Sequence, residues 1–150
     1  MLSSGDRAPA LGVLDQNGNK VSLAAFKGRR ALVYFYPKAD TPGCTEQTCL
    51  LRDVARKIGD TAIIGVSPDD VGRQKKFSDK YKVPFPLLCD VDHVVSERYG
   101  VWQEKSLYGR KYMGIVRSAF LIGTTGRVEH AWYKISPKDT PVQLLKAIGK

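Results

Sequence analysis

Two stretches of this chain carry no alternation of apolar and polar residues at all. "RALVYFYP", residues 30–37, is an apolar run rich in β-formers and closed by Pro37, and "TAIIGVS", residues 61–67, is a second. Uninterrupted runs of this length read as strands buried on both faces. A proline cannot donate to a ladder, so the first run ends there. Ahead of them, "ALGVLDQNGNKVSL" predicts a hairpin turning at Asn17-Gly18, a dipeptide that tolerates the left-handed backbone of a tight turn. Residues 42 to about 58 predict a helix, and "DDVGRQKKFSDKY" predicts a polar helix with one apolar side. "FPLLCD" reads as a short strand, "HVVSERYG" as a short helix, and "VWQEKSLYGRKYMGIV", residues 101–116, as a long loop. "RSAFLIG" and "VEHAWYKI" predict a hairpin around "TTGR", and "SPKDTPVQLLKAIGK" a closing helix capped by Ser136 or Asp139. Strand–helix–strand units followed by a hairpin and a helix predict a sheet with helices on both faces. No repeat or linker divides the chain, so residues 1–150 are expected to form one domain. No glycine-rich phosphate loop stands at a strand–helix turn, which disfavours a nucleotide-binding fold.

Composition narrows the class. The chain is 43% hydrophobic and 26% charged, ordinary values for a globular protein. The opening "MLSSGDRAPALG" has no apolar core of signal-peptide length, and no apolar run approaches a membrane span. A soluble, cytoplasmic protein without a membrane partner is expected. Three cysteines, an odd number, argue against a secreted disulfide scaffold. The formal net charge of +9 permits attraction to nucleic acid. Its Lys and Arg residues are scattered through "KGRR", "GRQKK" and "YGRKY", so a solvated basic surface with no nucleic-acid partner is expected instead.

The chemistry concentrates in "YFYPKADTPGCTEQTC", residues 34–49. The spacing of its cysteines is too wide for C-x-x-C. Thr41 suits an N-cap and Pro42 the first helical position. Cys44 then falls in the first turn, where backbone N–H groups lack partners and the helix dipole is positive. Such a setting favours the reactive thiolate of a cysteine. Gly43, having no side chain, leaves the backbone there open to a small ligand. The plain alternative is a capped helix with an incidental cysteine. On an ideal helix, positions five apart are rotated by about 140° and lie roughly 8.6 Å apart between Cα atoms. A disulfide requires roughly 7 Å or less. Cys44 and Cys49 can therefore join only if the first turns unwind, which suits a redox cycle better than a staple. Cys49 as an ordinary buried thiol on the inner helix face stays open on the residues alone.

The same segment resembles the active-site segment of the peroxiredoxins, whose Pro-x-x-x-Thr/Ser-x-x-Cys falls here on Pro37, Thr41 and Cys44. The second cysteine five residues on, followed by "LLRD", resembles the bacterioferritin comigratory protein, or peroxiredoxin Q, branch. "YGRKYMGIVRSAFLIG" resembles a later segment of that branch, whose arginine falls on Arg117. The opening through Pro37, the "FPLLCD" strand and "RSAFLIGTTGRVEHAWY" fit as well, so the resemblance covers nearly the whole chain. It implies a thioredoxin-like α/β fold: a central mixed β-sheet flanked by helices, with an N-terminal β-hairpin. It implies reduction of hydrogen peroxide and organic hydroperoxides, recycling by thioredoxin or a similar reductant, and no metal, haem or flavin. A monomer is the expected state. Cys44 would attack the peroxide and become a sulfenic acid, and Cys49 would resolve it. Arg117 would hold the thiolate and a peroxide oxygen, and Thr41 would cap the helix and bond the peroxide. Pro37 would screen the thiolate, and the N–H groups of Gly43 and Cys44 would receive the substrate. Without the resemblance, Arg117 reads as a surface residue opening an edge strand.

Other residues offer weaker signals. Cys89 stands where the family often has serine and reads as a buried strand-end thiol, with a minor claim on resolution. Asp90 and Asp92 beside Cys89 and His93 read as a turn with a helix cap in preference to a metal set. Neither His93 nor His130 sits in a motif for a cysteine–histidine pair. Trp102, Tyr108 and Tyr112 are expected to anchor a loop, in preference to lining a docking groove. The rival classes are a thioredoxin-fold thiol–disulfide reductase, disfavoured by the missing C-x-x-C, and a basic nucleic-acid-binding module.

Overall fold

A computed structural model describes all residues of the chain, 1–150. The chain opens with the hairpin at Asn17-Gly18, where β1 (Val13–Leu14) pairs antiparallel with β2 (Lys20–Val21). Asp15 organises the turn: its carboxylate accepts from the backbone N–H groups of Asn17 and Asn19 at 2.8 and 3.0 Å. Then follow β3 (Ala31–Phe35), α1 (Pro42–Val54), β4 (Ala62–Ser67), α2 (Val71–Tyr81), β5 (Leu87–Cys89) and α3 (Val94–Arg98). The chain continues with β6 (Trp102–Leu107), β7 (Arg110–Ile115), β8 (Ser118–Ile122), β9 (Val128–Trp132) and α4 (Asp139–Ala147).

The two apolar runs are the centre of a five-stranded sheet of order β5-β4-β3-β8-β9. β3, β4 and β5 run parallel, whereas β8 is antiparallel to β3 and β9 to β8, so the sheet is mixed. Side chains alternate across a strand, and each strand therefore feeds two cores. Val33, Phe35, Ile64, Val66 and Phe120 meet Val95 of α3 and Tyr99 just after it on one face. Leu32, Tyr34, Ile63 and Leu121 meet Cys44 and Leu51 of α1, Phe77 of α2 and Leu144 of α4 on the other. Helices thus cover both faces, as the sequence pattern predicts. No helix is long and apolar enough to cross a membrane.

Residues 101–116 correct the expectation of a loop. β6 and β7 form a separate two-stranded antiparallel sheet, turning at Tyr108 and Gly109. Both turn residues are left-handed, with φ of 50° and 77°, the geometry a tight two-residue hairpin demands. Most of this hairpin faces solvent, so its sequence carries no apolar alternation to read. Tyr108 is 98% exposed and Tyr112 also lies exposed, so neither anchors anything. Trp102 is the exception, stacking on His93 with centroids 3.7 Å apart.

Three smaller points also differ or sharpen. α1 ends at Val54 and does not reach Ile58; tighter turns through Ala55 and Lys57 drop the Ile58 side chain into the core. Neither Ser136 nor Asp139 holds the N-cap position of the closing helix, which is Lys138 and makes no capping bond; the Ser136 hydroxyl oxygen accepts from the Asp139 N–H at 3.1 Å at the helix start. The Asp90 carboxylate accepts from the N–H groups of Val95 and Ser96 at 3.0 and 2.8 Å and from the Ser96 hydroxyl at 2.7 Å, so it caps α3.

Candidate active site

The loop between β3 and α1 is held from several sides before the helix begins. Pro37 is half-buried where the strand gives way. The Ala39 N–H donates to the Asp69 carboxylate at 2.7 Å, and the Ser67 hydroxyl holds that same oxygen at 2.7 Å. Asp40 adopts a left-handed φ of 58°, and its carboxylate accepts from Lys80 Nζ at 3.0 Å and from the Tyr81 hydroxyl at 2.9 Å. These contacts fix the direction in which α1 starts. Thr41 occupies the N-cap position in extended backbone, but its side chain makes no capping bond. Its hydroxyl donates to the Lys38 carbonyl at 2.8 Å instead. That corrects the expectation that the hydroxyl caps the helix. With its proton committed to Lys38, the oxygen keeps lone pairs for another donor. The N–H groups of Gly43 and Cys44 donate to no backbone carbonyl.

One stripe of α1 is buried: Cys44, Gln47, Thr48 and Leu51, at the i, i+3, i+4, i+7 spacing of a helix face. Two of the four are polar, and each finds a partner. Thr48 shares a 2.8 Å hydrogen bond with the Tyr34 hydroxyl, which burial in turn holds far above the ordinary phenol range. Gln47 lies between Arg117 and α4. Arg117 Nη2 donates to Cys44 Sγ at 3.4 Å, and Nη1 donates to Gln47 Oε1 at 2.8 Å. Gln47 Nε2 donates to Thr140 Oγ1 at 2.8 Å, and the Thr140 hydroxyl donates to the Ser136 carbonyl at 2.9 Å. No carboxylate forms an ion pair with Arg117. Its charge therefore faces a sulfur and a neutral amide. Arg117 immediately precedes β8, which lies inside the sheet between β3 and β9 and is not an edge strand. Gly43 sits close against the same guanidinium: a Cβ there would stand 3.1 Å from Arg117 Nη2 and 3.6 Å from Pro137 Cγ, so any side chain would press on the arginine.

Arg117 also lines a shallow hollow of about 610 Å³ with Val116, Ile135, Pro137, Lys105 and Lys134. A larger hollow of about 790 Å³ lies elsewhere, among Arg29, Arg52, Arg56 and Lys82 at the far end of α1. Neither hollow is lined by a cysteine, but the smaller one adjoins Cys44 through Arg117, whose Nη2 lies 3.4 Å from the sulfur.

All three cysteines are free. Cys44 is fully buried, while Cys49, five positions on, lies off the buried stripe and is half-buried. Burial pushes the Cys49 thiol up, with Arg52 opposing. Cys89 ends β5 with its sulfur 3.7 Å from the Asp15 carbonyl oxygen. Burial, with the carboxylates of Asp15, Asp70 and Asp69 behind it, pushes that thiol up to about 12. α1 is continuous from Pro42 to Val54. The ideal-helix separation of roughly 8.6 Å between Cys44 and Cys49 thus holds, outside disulfide reach. His93 and His130 stack on Trp102 and Trp132, and neither bonds a cysteine.

The model of the AhpC/TSA family matches residues 4–131. This chain belongs to that family. Peroxiredoxin Bcp of Escherichia coli K12 is 47% identical over 134 residues, covering 87% of this chain and 85% of the relative. Peroxiredoxin Bcp of Bacillus subtilis 168 is 41% identical over 149 residues, covering 98% and 95%. A solved structure of the Xanthomonas campestris bacterioferritin comigratory protein, concerned with its alkyl peroxide reduction activity, superposes with a TM-score of 0.88 at 33% identity, covering 93% and 90%. Peroxidoxin BcpB of Mycobacterium tuberculosis superposes with a TM-score of 0.88 at 28% identity, covering 99% and 97%. The chain is accordingly a peroxiredoxin of the Bcp branch, with the thioredoxin-like fold and thiol-dependent peroxidase activity of its kind.

For this peroxiredoxin, the structure brings Cys44, Gly43, Thr41 and Arg117 to one end of the sheet, with Cys49 one turn further along the helix. Sequence reasoning passed over Gln47, Thr140, Asp40 and Asp69. Gln47 had a readable signal, since three residues after Cys44 is the same helix face. Thr140 had none, because only the packing of α4 against α1 brings it to Gln47.

Proposed function

We propose that Cys44 is the peroxide-reducing cysteine and Cys49 the one that resolves it. The Cys44 thiolate attacks one oxygen of the hydroperoxide, the O–O bond breaks, and the departing alkoxide or hydroxide takes a proton from solvent. Cys44 is left as a sulfenic acid. The Cys49 thiolate then attacks that sulfur, the S–O bond breaks, and water leaves with one added proton. A dithiol reductant, thioredoxin by this reading, returns both sulfurs to thiols by exchange.

The observation that carries this reading is Arg117 Nη2 at 3.4 Å from the buried Cys44 sulfur, with no carboxylate to neutralise it. A guanidinium is a permanent cation with a planar donor fork, suited to an anion and a developing oxyanion together. The unpartnered N–H groups of Gly43 and Cys44 add donors at the helix start. The Thr41 oxygen, free to accept, suits the O–H of an incoming peroxide. Pro37 shields the sulfur from the strand side. The substrates are hydrogen peroxide and organic hydroperoxides, and the protein works as a cytoplasmic monomer of one domain.

Resolution requires the start of α1 to unwind. Gly43 is a poor helix former, and Thr45 and Thr48 are weak ones. Cys89 takes no part: its thiol is buried and held protonated. Mass mapping of disulfides after one equivalent of peroxide tests the assignment. A Cys44–Cys49 bridge within one chain is expected. A Cys44–Cys89 bridge, with Cys89→Ser inactive and Cys49→Ser active, would overturn it.

A further inference from the structure

We infer that Thr140, on the closing helix α4, is a positioning residue for the peroxide step, acting through Gln47 on Arg117. The inference rests on Cys44 and Arg117 being the reacting pair and extends the site to a helix 93 residues from Gln47 in sequence.

Polarity fixes the direction of every bond in this hydrogen-bonded chain. A guanidinium can only donate, so Arg117 Nη1 requires the oxygen of the Gln47 amide, which it holds at 2.8 Å. The amide nitrogen must then face the opposite way, into α4. Gln47 is fully buried, and a nitrogen left there without an acceptor is costly. Thr140, itself 1% exposed, supplies the acceptor at 2.8 Å. A hydroxyl could equally donate and so invite the amide to flip. Thr140 cannot do so without cost, because its proton is committed to the Ser136 carbonyl at 2.9 Å. The donors of Arg117, Gln47 and Thr140 therefore all point one way, ending at the Ser136 carbonyl, and each bond polarises the next. Losing the hydroxyl removes one of the amide's two anchors. The amide can then turn, setting NH₂ against guanidinium, donor against donor. Arg117 Nη2 loses its fixed bearing on Cys44 Sγ. The bond from the Asp139 N–H to the Ser136 hydroxyl oxygen at the start of α4 does not involve Thr140.

The test is the second-order rate constant for oxidation of Cys44 by hydrogen peroxide, measured in a single turnover of the reduced full-length protein. Thr140→Val keeps the shape and loses the hydroxyl. It should slow the step about tenfold, the net worth of one hydrogen bond expressed as a rate. Thr140→Ser keeps the hydroxyl and should stay within about twofold of the parent. The deciding readout is the double variant. Thr140→Val placed on Arg117→Ala should add no further loss, because Thr140 acts only through that arginine. Losses that multiply in the double variant, or a Thr140→Val rate equal to the parent's, overturn the inference. Should Thr140→Val fail to fold, Thr140→Ala is read against the same criteria. A parent that does not oxidise at Cys44 instead overturns the proposed function, a separate outcome read in the first measurement.

Discussion

Arg117 holds the Cys44 sulfur with one nitrogen and the Gln47 oxygen with the other. Lysine can offer a charge at one of those places but not a fork spanning both. Arg117→Ala should lower the peroxide rate by about two to three orders of magnitude, the usual cost of a lost transition-state donor. Arg117→Lys should recover only part of it. The same single-turnover assay decides, and an Ala variant as fast as the parent would remove Arg117 from the mechanism. Cys44→Ser should abolish turnover with the fold intact, since serine fits the same helical position; peroxide consumption with a thioredoxin system checks this. Cys89 behaves differently. Its thiol, pushed up to about 12, keeps its proton in the fold long after an unfolded chain, titrating near 9.0, has lost it. Its contribution to stability is whole below about pH 9 and declines as pH rises towards 12. Native protein should thus resist alkylation at Cys89 at neutral pH, and its urea midpoint should fall between pH 8 and pH 11 less steeply in Cys89→Ser.

At the scale of the element, the proposed resolution by Cys49 asks α1 to be both firm and able to open. Its buried stripe is tied to β3 by the Thr48–Tyr34 bond and to α4 by Gln47. Forming the proposed Cys44–Cys49 disulfide would unwind the turns that carry both ties. Oxidation should therefore lower hydrogen-exchange protection from Pro42 to Leu51 while β3 stays protected. Cys49→Ser should accumulate sulfenic acid at Cys44 and lose thioredoxin-linked turnover, and Cys89→Ser should turn over nearly as well as the parent. Peptide-level exchange and sulfenic-acid trapping read these outcomes; unchanged protection in the disulfide form would deny the opening of α1. The sequence revealed the elements that are buried on at least one face. β3 and β4 showed as apolar runs because both their faces are covered, and the hairpin at Asn17-Gly18 showed through its turn chemistry. The β6–β7 hairpin did not show, because solvent on most of its surface removes the alternation. The stripe of α1 was half hidden for the opposite reason: Gln47 and Thr48 are buried, but by satisfied hydrogen bonds, and polar letters do not announce burial. Where Arg117 ends up was legible only through the family motif, since no local pattern says which arginine will cross the sheet to a sulfur 73 residues away.

Across the whole molecule, folding gathers cations that the sequence scatters. Arg29, Arg52, Arg56 and Lys82 surround one hollow, and Arg7, Lys27, Arg29 and Arg127 line another with no carboxylate. The net charge of +9 acts on charged partners over a Debye length, ~8 Å at physiological salt, and leaves neutral ones unaffected. Oxidation by hydrogen peroxide should be nearly independent of salt. Reduction by an acidic dithiol protein should slow as salt rises, while reduction by dithiothreitol should not; equal salt dependence for both reductants would assign the effect to the chain's own opening. One further consequence lies in Cys44 and Cys49 sharing a single unbroken helix. On the proposed roles of the two cysteines, a sulfenic acid at Cys44 would, while that helix stays wound, be open to a second peroxide, which carries it to sulfinic acid and ends its service. The pace at which a few turns of helix come apart therefore sets a dose limit: a peroxide concentration above which molecules are retired faster than they are recycled.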